Sequence, residues 1–251
     1  MPDADPAPGR AMMVVMSPRH PVMRALRLAL LAAAVLGIAA GTVAAAGLPL
    51  APATAAGPLV PAPPPGPLGL EGVPLPLGPA LAPPRAVRLG QTVAGIPCQL
   101  AEKVAFHSHA RLTIFVNGKA RQVPYGIGIG PPLYGQSPAG HGVFVSSGSC
   151  FMWLHTHAAD GIIHMEAPRQ MTFVLGQFFA VWGQPLSPTR VGPARGKVTA
   201  FFNGKLWTAD PARIPLSSAL QVQLDVGKPV VAPVHIAFPK ALLPSTTMKH
   251  G

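Results

Sequence analysis

Two Asn-Gly pairs constrain the fold of this chain more than any other feature. They lie within FVNGK at 115–119 and FFNGK at 201–205. Asn-Gly readily takes the positive φ angles of a type I′ turn, which joins two antiparallel strands directly. From Phe106 to Val116, apolar residues alternate with more polar ones, which is the period of a half-buried strand. We therefore predict a mostly β fold, with antiparallel β-hairpins forming a small sheet or sandwich.

Two further segments predict secondary structure. LGQFFAVWG at 175–183 places three aromatic residues on one helical face and ends at a glycine, which indicates one short helix packed on the core. The segment from Leu220 to Phe238 has a strand pattern interrupted by Pro229 and Pro233. Because proline donates no ladder hydrogen bond, this pattern predicts an edge strand.

Proline and glycine divide the chain into regions. The sequence contains 33 prolines and 27 glycines, and both concentrate before residue 90. Proline fixes φ and lacks an amide donor, so such a stretch is typical of a semi-rigid spacer or a disordered segment. We therefore predict a proline-rich linker at 51–90, a β-rich globular domain at 91–240 and a tail at 241–251.

The N-terminal region is typical of an export signal. Arg24 and Arg27 precede an uncharged apolar run from Leu28 to Leu50. Residues 24–50 fit a signal peptide, and the run is also long enough to serve as an uncleaved apolar membrane helix. Either alternative predicts export to the cell envelope, periplasmic or extracellular. Residues 1–23 are expected to be disordered or upstream of the true start.

The two cysteines, Cys98 and Cys150, fit a disulfide in an oxidising compartment. The alternative is that Cys150, which stands just before a histidine cluster, is a thiolate metal ligand.

The formal net charge of +11 lies mostly in the predicted domain. From Arg85 onward there are 15 lysines and arginines against 5 acidic residues, an excess of +10. An exported basic protein would meet an anionic membrane or a cell-surface polymer. Because the basic residues are scattered singly, without interleaved aromatics, the pattern argues against nucleic acid. A solvated basic surface without a specific partner is the alternative.

The stretch WLHTHAADGIIHMEAP at 153–168 carries the main candidate site. A two-residue turn at Asp160-Gly161 would pair His157 with His164 and His155 with Glu166. A four-residue loop at 158–161 would instead pair His155 with His164. Both registers place the three histidines on one face, because residues i and i+2 share a face and paired residues lie side by side.

Three converging imidazoles are a ligand set that suits copper, zinc, nickel or iron. The candidate ligands are His155, His157 and His164, with Glu166 as a fourth ligand or as a carboxylate that orients an imidazole. His107 and His109 repeat the i, i+2 spacing and would extend the site, or form a second one, if their strand lies beside the hairpin. The alternative is a polar surface without a metal.

The stretches FHSHARLTIFVNGK, WLHTHAADGIIHMEAP and FVLGQFFAVWGQPL together resemble a family of uncharacterised exported bacterial proteins. The resemblance covers most of residues 95–210, and the histidine hairpin is its most specific part. In that family an acidic residue often follows the HTH triplet, whereas this chain has Ala158, which argues against a carboxylate role there. The resemblance implies export and one coherent domain, and it implies no activity.

Three functions follow from these patterns. The first is an exported cell-envelope protein that binds a divalent transition metal, copper or zinc, with the histidine hairpin. The second is a mononuclear metalloenzyme that activates water or oxygen, with Glu166 or Asp160 as a general base. The third is a structural or adhesive envelope protein with no metal. The chain contains no HExxH, GxSxG or Walker motif, which excludes the enzyme classes that those motifs define.

Overall fold

The computed structural model describes residues 58–243. The predicted export segment at 24–50 and the preceding residues 1–23 lie outside this range, as do 51–57 and 244–251. Within 58–243, no helix is both long and apolar enough to cross a membrane.

The described residues form nineteen strands, one α-helix and two 3₁₀-helices. The strands are β1 Leu59–Val60, β2 Thr92–Val93, β3 Ile96–Gln99, β4 Phe106–Val116, β5 Lys119–Arg121, β6 Tyr134–Gln136, β7 Phe144–Ser147, β8 Phe151–Met152, β9 Leu154–His155, β10 Ile162–Ala167, β11 Phe173–Val174, β12 Leu186–Ser187, β13 Arg190–Val191, β14 Ala194–Arg195, β15 Val198–Phe202, β16 Lys205–Trp207, β17 Pro215–Leu216, β18 Leu220–Val226 and β19 Val230–Val231. The α-helix α1 spans Leu175–Trp182, and the 3₁₀-helices span Pro211–Arg213 and Lys240–Leu242.

A seven-stranded sheet forms the centre of the fold, in the order β16-β15-β18-β4-β10-β9, with β5 also paired to β4. The long strand β4 pairs with β10 along its first half and with β5 along its second half. Its other edge pairs with β18 in parallel. Several smaller sheets surround this one, and most of their pairs are antiparallel. The predicted content of secondary structure, mostly β with one short α-helix, is confirmed for the described residues.

The main core lies between one face of the large sheet and α1. Ala110, Leu112 and Ile114 of β4 pack in the same cluster as Phe178 and Trp182 of α1. The helix ends at Gly183, whose φ of 79° continues the chain in the left-handed conformation. The alternation along β4 therefore places the even-numbered residues in the core and the odd-numbered residues on the opposite face.

Both predicted Asn-Gly turns are present. Asn117 and Gly118 have φ angles of 50° and 74°, and Asn203 and Gly204 have φ angles of 47° and 77°. The first turn joins β4 to β5 and the second joins β15 to β16.

The predicted edge strand after Leu220 is wrong. β18 spans Leu220–Val226 and lies inside the large sheet, between β15 and β4. Pro229 and Pro233 both follow the end of this strand, so neither removes a donor from its ladder. The prolines mark the end of the strand and do not place it at an edge.

The predicted proline-rich linker differs from the structure over residues 58–90, because this part of the segment packs on the domain. β1 pairs with β19, and Ala80 forms a bridge with Gln122. Val73 and Val87 are buried. Proline removes amide donors, but the apolar side chains between the prolines can still bury surface. The compact domain therefore includes residues 58–90, and it also includes Leu242 from the predicted tail.

Cys98 and Cys150 form the predicted disulfide, with their Cα atoms 5.5 Å apart. Both are buried in the main core. The bond excludes Cys150 as a thiolate ligand in this state.

Candidate metal centre

The histidine hairpin adopts the second of the two predicted registers. In the β9–β10 pair, His155 lies opposite His164 and Leu154 lies opposite Met165. The two-residue turn register is therefore wrong. β9 ends at His155, so His157 belongs to the connecting loop, where the neighbouring Ala158 forms a bridge with Phe144 of β7.

Two residues shape the loop between β9 and β10. The Oδ1 atom of Asp160 accepts a hydrogen bond from the amide of Ile162 at 3.0 Å. Gly161 has a φ of +87°, and its carbonyl oxygen accepts a bond from the amide of Leu112 on β4. The side chain of Asp160 and the positive φ of Gly161 thus shape a longer loop that is tied to the central strand.

The second histidine pair joins the hairpin. β4 lies on the other edge of β10, where His109 is opposite His164 and His107 is opposite Glu166. The strand order therefore brings five of the six predicted metal-site residues to one face of the sheet, and His157 joins the same cluster from the loop. The opposite face carries Met152, Leu154, Ile163 and Met165 in the main core, as the alternation predicts.

Two sets of these side chains could hold a metal. His155, His157, His164 and Glu166 each offer one ligand atom, and these atoms lie within 4.8 Å of one another. His107, His109 and His164 form a second such set, which shares His164. The first four residues are buried, with His155 fully enclosed at 0% exposure. The side chain of His107 is 40% exposed and connects the cluster with solvent.

His155 and His157 present the same nitrogen to each other. The Nδ1 atom of His155 is 2.8 Å from the carbonyl oxygen of Met152, and Nδ1 of His157 contacts the carbonyl oxygen of Val145. A carbonyl oxygen can only accept, so each Nδ1 carries a proton and donates it. In each neutral ring, Nε2 then holds a lone pair, and these two Nε2 atoms are 3.1 Å apart.

Burial disfavours a second proton on either ring. It lowers the pKa of His155 well below 6.5, and His157 and His164 lower it further. Burial also lowers the pKa of His157, with a further contribution from His164. At neutral pH both rings are therefore neutral in the absence of a metal, and two lone pairs face each other.

His164 lies between two carboxylates. Its Nε2 is 2.7 Å from Oε1 of Glu71, and its Nδ1 is 3.4 Å from Oε1 of Glu166. Burial alone would lower its pKa, but the hydrogen bonds with Glu166 and Glu71 raise it to about 9. These contacts make His164 an imidazolium at neutral pH and fix the orientation of its ring.

The carboxylate of Glu166 is held by histidines. Its Oε1 is 3.0 Å from Nε2 of His107, and its Oε2 is 4.0 Å from Nε2 of His155. Burial opposes ionisation, but the hydrogen bonds from His107 and His164 outweigh it and lower the pKa of Glu166. Glu166 is therefore ionised at neutral pH, as a metal ligand must be.

Like His155 and His157, His109 directs its Nδ1 atom at a backbone carbonyl oxygen. Its Nδ1 is 2.8 Å from the carbonyl oxygen of Leu242, and burial lowers its pKa to about 4. Its Nε2 is buried without a hydrogen-bond partner. The edge of its ring faces His164, with centroids 4.5 Å apart.

Two carboxylates of the site were not predicted from the sequence. Glu71 comes from the proline-rich segment, and Glu102 comes from the loop between β3 and β4, with its Oε1 3.5 Å from Nε2 of His157. A signal for Glu71 was present, because it is the one charged residue between 51 and 84. Glu102 lies five positions before His107, but its sequence position carries no comparable signal.

Two buried polar atoms of the cluster have no hydrogen-bond partner within residues 58–243, Nε2 of His109 and Oε2 of Glu166. The carboxyl groups of Asp160 and Glu71 form a hydrogen bond with each other, and Nδ1 of His164 faces Oε1 of Glu166. Buried polar atoms are nearly always paired, so the two unpaired atoms are available to a bound group. Nitrogen and carboxylate oxygen atoms on one buried face suit a metal cation.

The fold and the site define a mostly β protein whose central sheet carries a buried histidine and carboxylate cluster able to hold a metal ion. Comparison of the chain with protein-family models, with curated proteins and with solved structures finds no match in any of the three. The function is therefore inferred from the chemistry of the site.

Proposed function

We propose that this chain is an exported cell-envelope protein that binds a transition metal, copper or zinc. The metal would be held by His155, His157 and His164, with Glu166 as the fourth ligand. The observation that carries this proposal is the 3.1 Å separation of the Nε2 atoms of His155 and His157, both of which present lone pairs.

The lone pairs of these two nitrogens repel each other, and a cation bound between them would remove this repulsion because both nitrogens would coordinate it. A tetrahedral site with metal–nitrogen bonds of 2.0–2.1 Å has ligand atoms about 3.3 Å apart. The 3.1 Å separation is close to that value, and the remaining ligand atoms, within 4.8 Å, need to move inward by about one ångström. The Nδ1–H of each ring donates to a carbonyl oxygen, which is the usual support of a metal-bound histidine.

His164 and Glu166 would complete the set. Because Nε2 of His164 is bonded to Glu71, its Nδ1 would be the ligand, and the metal would displace the proton that this nitrogen directs at Glu166 at neutral pH. The Oε2 atom of Glu166 is buried and has no hydrogen-bond partner within residues 58–243. Glu71 would then orient His164 as the outer carboxylate of a carboxylate–histidine–metal arrangement.

The donor types favour copper(II) or zinc. Imidazole nitrogen and carboxylate oxygen suit both ions, whereas copper(I) prefers sulfur ligands. Met152 and Met165, the nearest methionines in the hairpin, lie in the core on the opposite face. The cluster therefore offers no thioether from the hairpin.

The enclosure of the site favours binding over catalysis. A metal that activates water keeps one coordination position open to a substrate. Here four candidate ligands are buried, and the side chains that reach solvent are His107 at 40% exposure and Glu102 at 33%. Glu102 and His107 would form the entry path for an ion, and a site of this kind suits metal storage or transfer.

Export is supported by the disulfide between Cys98 and Cys150, because such bonds persist in oxidising compartments. The N-terminal apolar run would supply the signal peptide or anchor.

The test is elemental analysis of the full chain, produced in an oxidising compartment without a histidine tag. His155→Ala/His157→Ala is the test variant, and His141→Ala, which removes an exposed histidine outside the cluster, is the control. We expect about one equivalent of copper or zinc in the wild type and the control, and none in the double variant. Two equivalents would show that a second ion binds without His164, because the His107, His109 and His164 set shares this residue with the first set. A wild-type protein that stays metal-free after addition of both ions would overturn the proposal.

A further inference from the structure

The outer face of β4 continues beyond the metal cluster to a second polar group, Arg111. Its guanidinium lies on the same face as His107 and His109, two positions beyond the latter on the strand. Arg111 is 4% exposed and lines a cavity of about 570 Å³. The proposed metal function makes no use of this residue or of this cavity.

Arg111 has few partners for a buried charge. Within residues 58–243 it forms no ion pair, and its Nε donates one long hydrogen bond of 3.4 Å to the carbonyl oxygen of Asp160. Its Nη1 is buried without any acceptor. A buried guanidinium with an unused nitrogen requires an acceptor, which an anionic ligand would supply.

The walls of the cavity are mostly apolar. Phe115 and Ala120 come from the central hairpin, the prolines around Pro64 come from the segment before β2, and Val234 and Ile236 come from the segment after β19. Thr113 adds a hydroxyl group on the strand next to Arg111, and His235 adds an imidazole. The volume is within the usual range of small-molecule sites, about 300–1,000 Å³, and such sites commonly combine apolar walls with a few polar anchors.

We propose that this cavity binds a small organic carboxylate with an apolar body. The planar fork of Arg111 matches a carboxylate group, and the apolar walls would cover an aliphatic or aromatic body. Arg111 is the one arginine or lysine that lines the cavity, so its charge balances a singly charged headgroup. This proposal does not depend on the metal site.

The experiment is calorimetric titration of the full chain with octanoate, alongside octanamide and inorganic phosphate. We expect octanoate to bind at one site per chain and at least tenfold more tightly than either comparison compound. Arg111→Gln should weaken octanoate at least tenfold, and the exposed control Arg88→Gln should leave its affinity unchanged. If octanamide binds as tightly as octanoate, the charge of the carboxylate plays no role and the proposal fails. If phosphate binds more tightly than octanoate, the ligand needs no apolar body and the proposal also fails.

Two further variants keep the test decisive. Ala237→Trp fills the exposed mouth of the cavity without changing Arg111, so it should abolish octanoate binding even if Arg111→Gln does not fold. Octanoate could instead coordinate a bound metal, so His155→Ala should leave octanoate affinity unchanged. Unchanged affinity in Ala237→Trp, loss of affinity in His155→Ala, or absence of octanoate binding to the wild type would each overturn the proposal.

Discussion

Glu71 reaches from the proline-rich segment to His164 on β10, with 2.7 Å between its Oε1 and Nε2 of the imidazole. Glu71 therefore connects the segment before the first Asn-Gly hairpin with the centre of the candidate metal site. The contact is buried, so the ring of His164 is fixed by a charge that little water can screen.

Replacing Glu71 by glutamine should weaken metal binding. Glu71→Gln keeps the size of the side chain but removes the charge that supports His164. Loss of such an outer carboxylate typically lowers metal affinity about 10–100-fold. Competition against a chelator of known affinity measures the change. Asp210→Asn, which removes a carboxylate from the loop after β16, should leave the affinity unchanged. Equal affinities in the two variants would contradict the role of Glu71.

The metal-free protein should lose stability as the pH rises from about 6.5 to 9. Hydrogen bonds with Glu166 and Glu71 raise the pKa of His164 to about 9, so this group stabilises the folded state fully below pH 6.5 and less as the pH rises through 9. The loss should be about 3 kcal/mol. Asp160, whose pKa burial and Glu71 raise to about 8, acts in the same direction up to pH 8. Urea denaturation of chelator-treated protein at several pH values measures this slope.

Glu71→Gln provides the control for this pH dependence. It removes one of the two carboxylates that hold the proton on His164, so the stability of the variant should fall less between pH 6.5 and 9. The lowered pKa values of His155 and His157 affect stability at lower pH. Both rings are neutral in the folded state, so their contribution to stability is complete above pH 6.5 and decreases as the pH falls below it. The same slope in both proteins would show that another group titrates.

Removal of the disulfide should destabilise the domain without abolishing the metal site. Cys98 and Cys150 are 52 positions apart, and a loop of this length corresponds to about 4 kcal/mol of chain entropy. Cys98→Ser/Cys150→Ser should therefore lower the free energy of unfolding by about that amount. Neither sulfur is a ligand, so the folded variant should retain the metal content of the wild type. Loss of metal at temperatures where circular dichroism shows the variant folded would contradict this assignment.

Gly161→Ala should disrupt the loop that sets the register of the histidine hairpin. Gly161 has a φ of +87°, and an added Cβ would lie 2.2 Å from the carbonyl oxygen of Leu112. Because backbone on the central strand cannot yield easily, the expected loss of stability is about 3 kcal/mol or more. Gly140→Ala is the matched control, since its φ is +81° with nothing within 4 Å of the added carbon. It should cost about 1 kcal/mol, and equal thermal shifts in both variants would contradict the close-contact explanation.

The local features of this fold could be predicted from the sequence. The Asn-Gly pairs specify turns because asparagine and glycine tolerate positive φ, and Gly183 ends the helix for a related reason. The two-residue period places His107 and His109 on the face opposite the core residues of β4. The hydrophobic pattern of β10 likewise places His164 and Glu166 away from the core. These predictions depend on neighbours in the chain, and such neighbours are visible in the sequence.

Features that depend on distant contacts could not be predicted in the same way. The loop of the hairpin is tied to β4 by the bond between Gly161 and Leu112, and the position of β18 follows from pairing with β4 and β15. Composition suggested a spacer before residue 90, because proline lacks an amide donor. That property limits strand and helix, but it does not prevent Val73 from burying its side chain against Ile162.

The sequence by itself determined which side chains share a face, because a strand alternates with a period of two residues whatever its partners are. The tertiary structure decided which faces meet. It placed β4 beside β10, which brought five histidines together, and it folded Glu71 over them from the proline-rich segment. The physical reason is that strand order and segment packing minimise the apolar surface that the whole domain exposes to water. The exposed area depends on all segments together, so no single segment predicts it.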